Sequence, residues 1–145
     1  MRTFVVFFAV AAVLSACSDS VGVSEQAELA RHEAQWQQRT FHSYDFDLAK
    51  QVLGSNVNLH VSVRADSVAG VIDNDTGQPP VFDAGAMTVD EVFADANSTI
   101  TSKQVKVGLQ FDEQYGYPTL YTVRSIANTP GGPFSATLSN LTPVQ

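Results

Sequence analysis

Apolar and polar residues alternate with period two along several stretches of the chain and recur with helical spacing along two others. Tyr44, Phe46 and Leu48 alternate with Ser43, Asp45, Asp47 and Ala49, the pattern of a strand with one face buried. Gly54-Ser55-Asn56 breaks that run. Val57, Leu59, Val61 and Val63 then alternate with Asn58, His60, Ser62 and Arg64, and a turn near Ala65-Asp66 leads into a partner strand over 68–72. Asp73 to Gly85 carries Asn74, Gly77, Pro79 and Pro80 and reads as a loop. Later, Val105, Val107, Leu109 and Phe111 alternate with Lys106, Gly108, Gln110 and Asp112. A turn over 113–116 connects them to a return strand over 117–126, and a last strand follows over 134–141.

Two segments follow the helical period instead. Glu25 to about Gln38 is rich in Ala, Glu, Gln and Arg, with Ser24 placed as an N-cap and Leu29 and Trp36 seven residues apart on one face. His32 on this helix reads as solvated. Thr88-Val-Asp-Glu91 forms a capping box ahead of Val89, Val92, Phe93, Ala96 and Ile100, so a second helix runs from Val89 to about Thr101. The resulting order is α-β-β-β-α-β-β-β. Hairpin-linked strands beside two amphipathic helices imply a two-layer α+β domain: an antiparallel sheet of about six strands with both helices on one face.

The first residues have a different character. Arg2 precedes an apolar run from Phe4 to Leu14, which is too short to span a bilayer and fits a signal peptide. Leu14-Ser15-Ala16-Cys17 resembles the bacterial lipobox, with small residues ahead of a cysteine that would accept a diacylglycerol and become the N-terminus after cleavage between Ala16 and Cys17. The expected organisation is a lipoprotein signal peptide over 1–16, a lipidated tether over 17–24 and one domain over 25–145. The membrane, reached through the acyl chains on Cys17, is the expected partner. Position 18 is Ser rather than Asp, which favours the periplasmic face of the outer membrane. A polar tether over 18–24 would keep the domain within about 25 Å of the bilayer at about 3.5 Å per residue.

Composition narrows the function classes. The chain has 145 residues, 44% of them hydrophobic, enough for one packed core. Eight Lys and Arg against fifteen Asp and Glu give a net charge of -7, which speaks against nucleic acid as a partner. The single cysteine excludes an internal disulfide and a cysteine zinc site.

Trp36, Tyr44-x-Phe46, Thr88-Val-Asp-Glu-Val-Phe93, Phe111-Asp112 and Tyr115-Gly-Tyr-Pro118 occur in that order and spacing. This set resembles a family of bacterial secreted and lipoprotein domains known only as a domain of unknown function, over about Ala30 to Pro143. The resemblance implies the fold and an envelope location, and brings no activity with it. Many members of that family carry a cysteine pair after the Tyr-x-Phe strand. Here that stretch is Leu48-Ala-Lys-Gln-Val-Leu-Gly54, so no redox role is implied.

Motifs for serine hydrolases, zinc peptidases, phosphate loops and dinucleotides are all missing, and no cofactor or metal is expected. Asp73-Asn74-Asp75-Thr76-Gly77 lacks the third ligand and the distal Glu of a calcium loop, and reads as a turn. The remaining surface candidates are Asp45, Asp47 and His60 on the polar faces of their strands, and Tyr115, Tyr117 and Tyr121 as an aromatic patch, tyrosines being equally good strand residues. The polar strand faces are expected to be wet, with their side chains apart. A non-catalytic binding or structural module of the envelope, contacting another envelope protein, is the leading reading. The alternatives are a hydrolase or metal-dependent enzyme built on carboxylates and His60, and an assembly or lipid-sensing accessory protein.

Overall fold

The computed structural model describes residues 20–52, 54–81, 84–102, 105–125 and 133–144; the signal-peptide reading, Ala16 and Cys17 lie outside them. The elements are α1 (Ser20–Gln37), β1 (Tyr44–Val52), β2 (Ser55–Arg64), β3 (Ser67–Asp73), α2 (Val89–Ser102), β4 (Val105–Phe111), β5 (Pro118–Ser125) and β6 (Phe134–Pro143). This is the two-helix, six-strand antiparallel arrangement that the alternation implies.

The strands form one sheet in the order β3-β2-β1-β6-β5-β4. Each half of the chain folds as a three-strand meander, and the meanders meet where β1 pairs with β6. That central pairing joins the beginning of the domain to its end. It contains a bulge: Asp47 faces Ser139 but Asp45 faces Thr142, so Asn140 and Leu141 share the space opposite Phe46, and Asn140 takes a φ of 55°.

One face of the sheet is dry. Tyr44, Phe46, Leu48, Leu59, Val61 and Val63 are fully buried there, against Leu29 and Trp36 of α1 and Val92, Phe93 and Ala96 of α2. Trp36 is 0% exposed and takes the rings of Phe41, Tyr44 and Tyr117 edge-on at 5.4–6.2 Å. The capping box forms as the residues require: Glu91 N–H donates to Thr88 Oγ1 at 3.1 Å, and Thr88 N–H to Glu91 Oε2 at 2.7 Å. The Tyr44 hydroxyl accepts from Val89 N–H at 3.1 Å, so a core strand satisfies an orphan amide of α2.

Two expectations need correction. α1 begins at Ser20, so Ser24 lies inside it rather than at its N-cap, and residues 20–24 are helical where the sequence suggests an extended tether. Extending a helix that is already nucleated needs no new nucleus, which lets it run back through Gly22 despite a propensity cost of about 1 kcal/mol there. His32 is not a freely solvated side chain. Its ring stacks on Phe111 at 3.9 Å, and Nε2 accepts from Arg31 Nη2 at 2.8 Å. Burial is the largest cause of a lowered His32 pKa, and the Arg31 charge adds to it.

Candidate functional site

Strand alternation that sends Tyr44, Phe46 and Leu48 inward sends Asp45 and Asp47 to the open face, and the β1–β2 register does the same for His60 and Arg64. The expectation that these side chains stay apart is wrong at the level of pairs. Asp47 lies directly across from His60, and His60 Nδ1 donates to Asp47 Oδ1 at 3.0 Å. Arg64 Nη1 donates to Asp45 Oδ1 at 2.8 Å. Opposite charges facing one another across paired strands attract, and half-wet side chains are long enough to meet.

Asp47 is the focus. Asn140 Nδ2 reaches Oδ2 at 2.8 Å and Asn74 Nδ2 reaches Oδ1 at 3.3 Å, so donors from β2, the turn after β3 and the β6 bulge converge on one carboxylate of β1. The Asn140 hydrogen bond is the largest influence holding the Asp47 pKa below the ordinary carboxylate value, against opposing burial. The Arg64 hydrogen bond likewise holds Asp45 low. Both carboxylates are therefore firmly ionised and satisfied. Asp47 is 28% exposed and His60 43%, so the array lies on a wet sheet face and not in a cleft. A carboxylate that acts as a proton shuttle needs a pKa raised toward the working pH, and Asp45 and Asp47 are shifted the other way. Among the described residues, no group of three or more His, Cys, Asp or Glu could hold a metal ion.

The tyrosines separate by face. Tyr117 and Tyr121 are core residues, 7% and 1% exposed. The Tyr121 hydroxyl is satisfied by Asp95 at 2.8 Å and Thr99 at 2.9 Å, and burial pushes its pKa up. Tyr115 stays near the surface and meets the Phe41 ring edge-on at 5.2 Å. Gly116 beside it has a φ of 80° and presses on α1 so closely that a Cβ there would lie 2.8 Å from the His32 carbonyl oxygen. Gln35 Nε2 donates to the Glu113 and Gln114 carbonyls at 2.9 and 3.2 Å and fastens the same turn. The Tyr-Gly-Tyr-Pro run is therefore a docking turn: Gly116 permits the close approach, Tyr117 enters the core, and Tyr115 faces a cleft.

Sequence reasoning missed that cleft. It holds about 530 Å³ between the α1–β1 connection and the end of β6, lined by Thr40, Phe41, His42, Ser43, Tyr115, Pro143 and Val144. At its side, His42 Nδ1 donates to Asp66 Oδ2 at 2.7 Å, and Arg39 Nη2 donates to Asp66 Oδ1 at 2.7 Å and to Asp90 Oδ2 at 3.1 Å. The Arg39 side chain is only 4% exposed, and its guanidinium lies 4.2 Å over the Trp36 ring. Burial acts to raise the Asp66 pKa, but the His42 and Arg39 hydrogen bonds outweigh it and hold the group low. Asp66 and Ala65 form the β2–β3 turn with φ of 61° and 48°, left-handed values without a glycine. Asp66 N–H donates to the His42 carbonyl at 2.9 Å, so side chain and backbone both tie the turn to the cleft's rim. The only sequence signal for this corner was the turn; nothing local links residue 42 to residue 66.

No curated protein and no solved structure matches the chain. Residues 28–143 match a family of unknown function (DUF6174), which spans α1 from Glu28 onward, both meanders, α2 and the Tyr-Gly-Tyr-Pro turn. The chain belongs to that family.

Proposed function

We propose that the protein is a lipid-anchored domain of the bacterial cell envelope that acts by contact rather than by turnover, using the open face of its sheet around Asp47 as the contact surface. The observation that carries this reading is the state of the open-face carboxylates. Asp45 and Asp47 are ionised, hydrogen-bonded from neighbouring strands and half-wet. Such an array costs little to hold in one geometry, and preorganised polar groups favour recognition of a complementary polar surface. The Leu-Ser-Ala-Cys17 ending of a short apolar run supports the anchor, and the Ser at position 18 supports outer-membrane sorting.

The test is site-specific photocrosslinking of the full-length protein in native membranes, with the reactive residue at Thr137 on the open face or at Ala34 on the exposed side of α1. A discrete adduct from Thr137 alone, abolished by Ser62→Arg on the same face, is the expected result. Equal labelling from both positions, or none from Thr137, contradicts the reading.

A further inference from the structure

We propose that the cleft lined by Thr40, Phe41, His42, Ser43, Tyr115 and Val144 is a binding site for a neutral saccharide. It is separate from the open-face surface around Asp47. Its lining joins two aromatic rings, those of Phe41 and Tyr115, to three side-chain hydroxyls and one imidazole. Among the described residues, the Thr40 and Tyr115 hydroxyls and His42 Nε2 make no hydrogen bond. Each is therefore open to a ligand. A volume of about 530 Å³ lies within the usual range for small-molecule sites.

Charge selects among ligand classes. Among the described residues the lining contains no Lys, Arg, Asp or Glu, and the chain carries a net charge of -7, so an anionic ligand finds no Lys or Arg to pair with. Among the described residues, the carboxylate that a cationic ligand would meet at the rim is Asp66, whose oxygens already accept from Arg39 and His42. An acyl chain would strip water from the Thr40 and Tyr115 hydroxyls and from His42 Nε2 and give them no partner in return. A sugar supplies both needs, with C–H groups for the part of the aromatic pair that the cleft exposes and hydroxyls that pair with His42 Nε2, Thr40, Ser43 and Tyr115.

Position agrees with chemistry. Gln26 meets Asn97 near one end of α1, while Gln37 and Arg39 meet Asp90 at the other, so the cleft lies at the C-terminal end of a helix about 27 Å long. If Cys17 is the anchor proposed above, the cleft opens at the end of the domain remote from the bilayer. That orientation rests on the anchor; the ligand chemistry does not.

The experiment is a calorimetric titration of the full-length protein, held in a detergent without a sugar headgroup, with cellobiose, maltose and chitobiose. Trp36 fluorescence is followed in parallel, since this single tryptophan touches Phe41 of the cleft. The expected result is saturable binding of at least one disaccharide, weakened about five-fold by Tyr115→Phe, the loss of one hydrogen bond. Thr137→Arg on the open face should leave that affinity unchanged. Far-UV circular dichroism of Tyr115→Phe identical to wild type separates a lost contact from a lost fold. Absence of heat and fluorescence change with all three sugars overturns the proposal. So does binding that Tyr115→Phe leaves unchanged, and so does saturable binding of a decaproline peptide instead, which would make the cleft a peptide groove. Failure here leaves the crosslinking result on the open face untouched, so the two readings stand or fall apart.

Discussion

Gly116 illustrates how one residue can be required twice over. Its φ of 80° suits glycine, and the His32 carbonyl leaves no room for a side chain. Gly116→Ala is expected to lower stability by about 2–3 kcal/mol, combining backbone strain with overpacking. Urea denaturation checks this, and a loss below about 0.5 kcal/mol would mean that the turn shifts off α1 freely. Asp47 sets the acid limit in a comparable way. Its folded pKa lies below the unfolded value, so its contribution is present above the ordinary carboxylate range and is lost as pH falls through the folded pKa. Asp47→Asn should cost about 1 kcal/mol at pH 7 and progressively less as the pH is taken below the ordinary carboxylate range toward pH 2. Denaturation curves at the two pH values should therefore converge for this pair. Equal differences at both would show that shape, not charge, holds the Asn140 bulge.

At the scale of elements, the domain is held together at helix ends. Thr88 and Glu91 close the start of α2 reciprocally, so Thr88→Ala is expected to cost about 1 kcal/mol, with the thermal midpoint as readout. Arg39 performs a longer-range version of that task. From the connection after α1 it grips Asp66 in the β2–β3 turn and Asp90 in the first turn of α2, with its flat face on Trp36. Arg39→Lys keeps the charge but loses the planar fork and the stacking. We expect it to cost about 2 kcal/mol, less than a fully buried pair because both carboxylates are partly wet. A Lys variant as stable as wild type would show that charge alone suffices.

At the scale of the molecule, the two meanders share a sheet only through β1 and β6. The core is therefore complete only when the last strand has docked, which makes the C-terminal residues integral to the fold. At the other end of the chain, Cys17→Ala is expected to abolish acylation and leave the apolar leader uncleaved. Intact-mass spectrometry of membrane and soluble fractions checks this, and an unmodified Cys17 in wild-type mature protein would remove the anchor from the reading.

Strand and helix periods are local properties, so the order of the elements and the inward positions Phe46, Leu59, Val61, Val92 and Phe93 were legible along the chain, while the start of α1 at Ser20 was not. The shared helix face of Leu29 and Trp36 and the turn over 113–116 were legible too, since each is marked by local spacing and residue type. Which elements lie side by side was not legible along the chain, because it depends on contacts between distant segments. Alternation places Asp47 and His60 on polar faces but cannot state that they sit opposite one another, because register is set by the hairpin and the core together. Asn140 reaches Asp47 only through a bulge between strands almost a hundred residues apart in sequence, and His42 reaches Asp66 only because Arg39 and the left-handed turn bring them together. His32 likewise left solvent for the Phe111 ring, a partner supplied by another element. Pairings between distant segments depend on the free energy of the whole packed core, and no local pattern records it.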